Sequence, residues 1–223
     1  MQHIISFEQN PDTEKLFRER GTSMDFKIHL ENAWQLTLKH LVPLIMMTLV
    51  MSVVSVVTMG ILAPVMLAGY FQSILMMMRT DRQPTIQDLF SQINLFLPLL
   101  GFSIVVFVAT MLGFMLLVLP GIAIVCLVTF ASLYMLPLMT DQKMGLVDAL
   151  KKSWQMAMQD KVADHIVTVI LFVGLLAIGG SVFVGTLFTQ PFATIFVLSV
   201  YLERTASPGN KVTPPPPPAG NHL

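Results

Sequence analysis

Cysteine is nearly absent from this chain: Cys126 is the one thiol in 223 residues. An intrachain disulfide and a zinc cluster built on thiolates are therefore excluded. Charge is scarce too, at 12% of the residues against about 25% in an average soluble domain. Hydrophobic residues make up 54%, and the mean hydropathy is +0.72. Too little polar surface remains to cover a water-soluble globule. Lys+Arg and Asp+Glu balance at 13 each, so no net basic field draws nucleic acid. The composition argues against a soluble enzyme, a secreted disulfide scaffold and a nucleic-acid binder.

The few charges are clustered. Of the 26, eleven lie within residues 1–40, four between Arg79 and Asp88, eight between Asp141 and Asp164, and three between Glu203 and Lys211. The intervals Leu41–Met78, Leu89–Thr140 and His165–Leu202, of 38, 52 and 38 residues, contain no Asp, Glu, Lys or Arg. A membrane helix needs about 20 apolar residues to cross about 30 Å of hydrocarbon. Each interval is too long for one pass and suits two.

Each interval also carries breakers near its middle: Gly60 with Pro64, Leu119-Pro120-Gly121, and Thr189-Gln190-Pro191. Proline removes a backbone donor and glycine relaxes the chain, so these are expected turns. The resulting expectation is an all-α, polytopic membrane protein with six spans in three hairpins, near 41–59, 61–78, 95–118, 121–139, 165–187 and 190–203. Residues 1–24 form a polar leading segment, 25–203 one helical membrane domain, and 204–223 a Pro-rich tail. Hairpins return the chain to its starting side, so all 13 Lys and Arg would share one face. The positive-inside rule makes that face, and both termini, cytoplasmic. A re-entrant loop in one interval would keep this sidedness; a single long tilted helix would break it. The first apolar run begins too far along the chain for a secretory leader, and Met24 before Asp25-Phe26-Lys27 suggests that 1–23 are an upstream extension.

A stretch with helical amphipathic spacing precedes each hairpin. The expected apolar stripes are Phe26, Leu30, Ala33, Trp34, Leu38 and Leu41; then Ile86, Leu89, Phe90 and Ile93; then Leu146, Val147, Leu150, Trp154 and Met158. Thr85 and Asp88 have the spacing of a capping box. Ala33-Trp34-Gln35-Leu36-Thr37-Leu38 lines up with Ser153-Trp154-Gln155-Met156-Ala157-Met158, 120 residues later. This suggests a threefold plan of amphipathic helix followed by hairpin. The tryptophans suit the interfacial headgroup layer; packing as a soluble cap is the plainer alternative.

No catalytic, cofactor or metal site is assigned from the sequence. The expected spans carry no ionised side chain, which argues against a carrier coupled through a midplane carboxylate. Their polar residues are Thr58, Gln72, Ser73, Ser103, Thr110, Thr129, Ser132, Tyr134, Thr168, Ser181 and Thr186. Gly69-Tyr70-Phe71-Gln72 would open a polar pocket, although such groups more often bond their own backbone or a neighbouring helix. Ala177, Ser181 and Gly185, with Ala109 and Gly113, form small-residue ladders suited to close packing within the chain or between copies. His40 and His165 sit at comparable hairpin mouths, with Asp160 and Asp164 as companions, but match no metal-ligand spacing. His3, His29 and His222 complete the histidines. The 17 methionines, Met76-Met77-Met78 among them, lie in apolar runs and read as packing rather than copper ligands. Cys126 has no activating neighbour in sequence, and no hydrolase, P-loop or dinucleotide motif occurs. Pro214–Pro218 would form a polyproline rod of roughly 15 Å, either a docking ligand or an ordinary tail.

The order Pro64, Gly69, Arg79, Asp88-Leu89-Phe90, Leu119-Pro120-Gly121, Asp141, Gly145, Ala149-Leu150 and Ser153 resembles uncharacterised bacterial integral membrane proteins. Those are related to the membrane domain found on some glycerophosphodiester phosphodiesterases. The resemblance covers roughly residues 25–203 and implies a bacterial inner-membrane protein whose membrane part is not catalytic. No residue matches a phosphodiesterase site. The expected function is a non-catalytic protein that organises lipids or partner proteins, or a homo-oligomer, at the cytoplasmic face. The alternative is a small transporter or channel for a neutral or amphiphilic solute, which needs Gln72, Ser132 and Tyr134 to converge on one cavity. A membrane-embedded enzyme ranks third.

Overall fold

The computed structural model describes residues 26–159, 162–180 and 183–206, and within them the chain is helical with no strand. The α-helices are α1 (Phe26–Lys39), α2 (Leu41–Val57), α3 (Ala63–Thr80), α4 (Phe96–Leu116), α5 (Val118–Ser132), α6 (Met135–Asp141), α7 (Leu146–Gln159), α8 (Val162–Gly180) and α9 (Phe183–Ala206). Two 3-10 helices, Ile86–Phe90 and Ile93–Leu95, lead into α4. The leading segment, Asp160, Ser181 and the Pro-rich tail lie outside the described residues.

Proline places the helix starts. Pro43, Pro64, Pro98, Pro120 and Pro137 all fall in the first turn of a helix, where the missing N–H has no intrahelical acceptor to lose. This corrects the second expected turn. The break is at Leu117, in extended backbone with φ −166°, and Leu119-Pro120-Gly121 already belongs to α5. The third turn is corrected as well: α8 ends at Gly180, and α9 runs through Pro191. A proline inside a bundle helix is tolerated where its neighbours re-satisfy the freed carbonyl, and glycine lets the chain leave a helix without strain. The first turn falls where expected, with Met59 and Gly60 at positive φ.

Among the described residues four stretches are long and apolar enough to cross a membrane: Ile86–Leu116, Val118–Asp141, Val162–Gly180 and Gly185–Ala206. Counting α1 and α2, bent by 88°, as one broken span makes five. Six were expected. The shortfall lies in the first unit: α3 carries Gln72, Ser73 and Arg79, and the 17 residues of α2 reach only about 26 Å at 1.5 Å per residue. The expected span 121–139 is also divided at Leu133-Tyr134.

The amphipathic stripes are rotated from their expected positions. On α1 the buried side chains are His29, Ala33 and Thr37, while Trp34 and Leu38 are each 48% exposed. On α7 Ala149, Ser153, Met156 and Ala157 are buried, while Val147, Trp154 and Met158 face out. Small side chains let two helix axes approach, so they win the inner face and the bulky ones turn outward. The middle stretch is 3-10 rather than α, and of its expected stripe only Leu89 is buried.

The aligned segments 33–38 and 153–158 share one burial pattern: Ala33 and Ser153, like Thr37 and Ala157, are buried, and the residue after each is exposed. The contacts extend this threefold plan. Each amphipathic element packs on the closing helix of the preceding unit: Ile86–Phe90 on α3, α7 on α5 and α6, and α1 on α9. Among the described residues the first helix thus packs onto the last. Thr80, Thr140 and Thr205, at the ends of α3, α6 and α9, each donate to the carbonyl four residues back, at 2.8, 3.1 and 2.9 Å.

These closing helices make the core. Tyr70 on α3, Tyr134 at the start of α6 and Tyr201 on α9 are all fully buried. Gly69 permits one close contact: a Cβ there would lie 2.3 Å from the Leu89 carbonyl oxygen. Gly179 permits another, against Thr189 of α9. The ladder residues Gly113 and Gly185 likewise sit against Gly121 and Gly179, so small faces are spent inside this chain. Outside, α4 is almost wholly unburied, with Met115 87% exposed.

Candidate functional site

Polar groups gather where the closing helices end. The Arg79 guanidinium forks onto Asp141, Nη1 to Oδ1 and Nη2 to Oδ2, the latter at 2.8 Å. The same Oδ2 accepts from the Tyr201 hydroxyl at 3.0 Å, and that hydroxyl accepts from Gln142 Nε2 at 3.1 Å. One side chain from each unit meets here. Nearby, Arg204, only 4% exposed, donates Nη1 to the Met156 carbonyl at 3.1 Å and lies 5.4 Å from the Tyr134 ring centre. Tyr134 donates its backbone N–H to Ser153 Oγ at 3.2 Å.

Three further clasps surround this junction. His29 is buried between α1 and α9, with Nδ1 2.9 Å from Ser199 Oγ and Nε2 donating to Glu203 Oε2 at 2.5 Å. Lys39 Nζ donates to both oxygens of Asp81 at 2.6 and 2.7 Å, and His40 Nε2 lies 3.4 Å from Asp81 Oδ1. The hydrogen bonds and charge of Lys39 hold the Asp81 carboxyl below its ordinary range, with a smaller contribution from His40. Asp88 takes Ser73 Oγ at 2.8 Å, the Thr85 N–H at 3.0 Å and Arg82 Nη2 at 2.8 Å. The Thr85–Asp88 pairing is the capping box expected from the sequence.

Two cavities open among the helices, the second of them beside Lys39. One of about 320 Å³ lies between α3, α4 and the α5–α6 junction, lined by Pro64, Leu67, Phe102, Ser103, Ser132 and Met135. The other, of about 390 Å³, lies between α1, α3 and α9 and is lined by Asn32, Gln35, Leu36, Lys39, Met78 and Ser199.

The sequence candidates are dispersed. Gln72 lines neither cavity, and its buried Oε1 meets no donor among the described residues. Tyr70 bonds Thr48 at 2.9 Å, Phe71 is buried, and Gly69 lies under Leu89, so the stretch from Gly69 to Gln72 is packed. Thr58, Thr129, Ser132 and Thr168 donate to carbonyls of their own helices, and Thr186 to Gly179. His40 faces Asp81, whereas His165 bonds the Phe130 carbonyl at 2.9 Å. Among the described residues no three His, Cys, Asp or Glu converge to hold a metal ion. Cys126 faces outward on α5. What sequence reading missed is the junction itself, whose partners stand 60 and 62 positions apart. Charged residues just beyond apolar runs were the one available signal.

The described residues therefore define an all-helical fold in which four or five helices are long and apolar enough to cross a membrane, with ion pairs at the ends of the closing helices. No protein-family model, curated protein or solved structure matches this chain.

Proposed function

We propose that this chain is a non-catalytic multi-pass membrane protein that organises lipids, or a partner protein, at its charged face. In this reading α2, α3, α4, α5–α6, α8 and α9 make six crossings, with α2 and α3 as a short pair of which α3 is the more buried. Both termini lie in the cytoplasm, as the positive-inside rule requires, and the membrane is a bacterial inner membrane.

The observation that supports it is the disposition of polar and apolar groups. The long helices turn bulky apolar side chains outward, as at Leu97, Val105, Phe107 and Leu116. Their charged neighbours are paired at the helix ends. Outward apolar surface of this extent is expected where the solvent is lipid. Of Gln72, Ser132 and Tyr134, Ser132 alone lines either of the two cavities described above.

The test is topology and flux together. With Cys126 replaced, single cysteines near Met59 and Leu117 should react with an impermeant reagent only from outside, and those at Arg82 and Lys151 only from inside. Purified protein in liposomes should then pass no neutral solute. The transporter reading is favoured by one feature, the cavity with Ser103 and Ser132 on its wall. Solute flux abolished by Ser132→Leu would establish it and overturn the organiser.

A further inference from the structure

The cavity between α1, α3 and α9 is a different object from the apolar one. Asn32, Gln35 and Lys39 lie on one face of α1 and supply two amides and an ammonium, with Ser199 among the wall residues. Leu36 and Met78 give the cavity its apolar wall. Its volume, about 390 Å³, falls within the range of about 300–1,000 Å³ usual for small-ligand clefts. Trp34 is on the same helix, half-exposed, with its ring edge-on to Phe188 and Phe192 of α9.

We propose that this cavity binds the headgroup of one phospholipid carrying both a phosphate and a primary ammonium, with Lys39 at the phosphate and Asp81 at the ammonium. The proposal rests on the membrane reading above. Charge balance selects the headgroup. Lys39 is the cation of the cavity wall, and its ammonium is held by the Asp81 carboxylate, which stands just outside the wall beside His40. A purely anionic headgroup would displace Asp81 from Lys39 and leave that carboxylate without its ammonium. A zwitterion satisfies both signs, and a primary ammonium supplies three donors that a quaternary amine lacks.

Opening the Lys39–Asp81 pair costs little, because both partners are more than half exposed and such pairs contribute weakly in water. Phosphate and ammonium then replace each carboxylate and ammonium contact in kind. The Asn32 and Gln35 amides both donate and accept, which suits phosphate and glycerol oxygens.

The test is competition among lipids. The full chain is reconstituted into nanodiscs of equimolar phosphatidylethanolamine, phosphatidylglycerol and phosphatidylcholine, released into detergent, and weighed by native mass spectrometry. The expected result is one phosphatidylethanolamine retained per chain. Lys39→Met should lower that occupancy at least tenfold, and Asn32→Leu with Gln35→Leu severalfold, with Trp154→Phe unchanged. Equal retention of the three lipids, or wild-type retention by Lys39→Met, would overturn the site and leave the membrane reading intact. A chain that never enters the nanodisc would overturn both, and the two failures are told apart before any lipid is counted.

Discussion

Arg79 and Asp141, 62 positions apart, meet as a forked ion pair that fastens the end of α3 to the end of α6. Tyr201 of α9 joins the same carboxylate, so one Asp side chain links all three units. Asp141 is 13% exposed and Arg79 46%. Removing the guanidinium leaves a nearly buried carboxylate with the Tyr201 hydroxyl as its remaining strong donor. Arg79→Ala should cost about 1–2 kcal/mol, between the values for exposed pairs and for hydrogen bonds to buried charge. Thermal unfolding in detergent measures it, and a double-mutant cycle with Asp141→Asn should give a coupling energy above zero. Additive losses would mean that the pair contributes nothing.

Gly69 sets the distance between α3 and the 3-10 helix. Because its missing Cβ would fall 2.3 Å from a backbone oxygen, neither side can yield by a rotamer change. Gly69→Ala should destabilise by about 1–3 kcal/mol and Gly69→Val by more. It should also weaken the Ser73–Asp88 contact, readable as lost crosslinking between cysteines placed there. An unchanged melting temperature in Gly69→Val would show that the two elements are not held this close.

Asp81 gives the chain an acid-sensitive clasp. Its carboxyl is held below the ordinary range by Lys39, so the folded state binds that proton more weakly than the unfolded chain does. The contribution is fully present above the unfolded carboxylate range and fades as pH falls through the depressed folded value. The melting temperature of the wild type should therefore drop, as pH falls through and below the ordinary carboxylate range of about 4, by more than that of Asp81→Asn. High salt should shrink the difference, since the pair is exposed. Parallel curves for the two proteins would remove Asp81 from the account.

The outward tryptophans predict a depth. In lipid bilayers Trp34 and Trp154 should be quenched more by lipids brominated near the headgroup than by lipids brominated at the chain ends. Trp34→Phe and Trp154→Phe separate the two signals. Stronger quenching from the chain ends would place α1 and α7 inside the hydrocarbon instead.

His29 carries the ring closure between first and last helices. His29→Leu keeps the volume but removes both hydrogen bonds, leaving Ser199 and Glu203 without their partner on α1. Glu203 still reaches water, so the loss should be modest, about 1–2 kcal/mol. Proteolysis should then release the α1 segment before the remaining helices. Unaltered protease resistance would show that Trp34 against Phe188 and Phe192 holds α1 alone.

Residue type by itself fixed the class of structure here. Three long intervals without an ionised side chain are apolar enough to be helical, and Leu119-Pro120-Gly121 had to lie near a break because proline suits a first turn. Thr85 and Asp88 also pair as their spacing required. Tertiary contact decided the rest. Which face of α1 is buried turned on how closely α9 can approach Ala33 and Thr37, and periodicity ranks Trp34 and Leu38 inside because it weighs apolarity without knowing the solvent. The junction of Arg79, Asp141 and Tyr201, and the wall of Asn32, Lys39 and Ser199, join residues from separate units. Their partnership depends on how the ring closes, a geometry that no local pattern of the chain encodes.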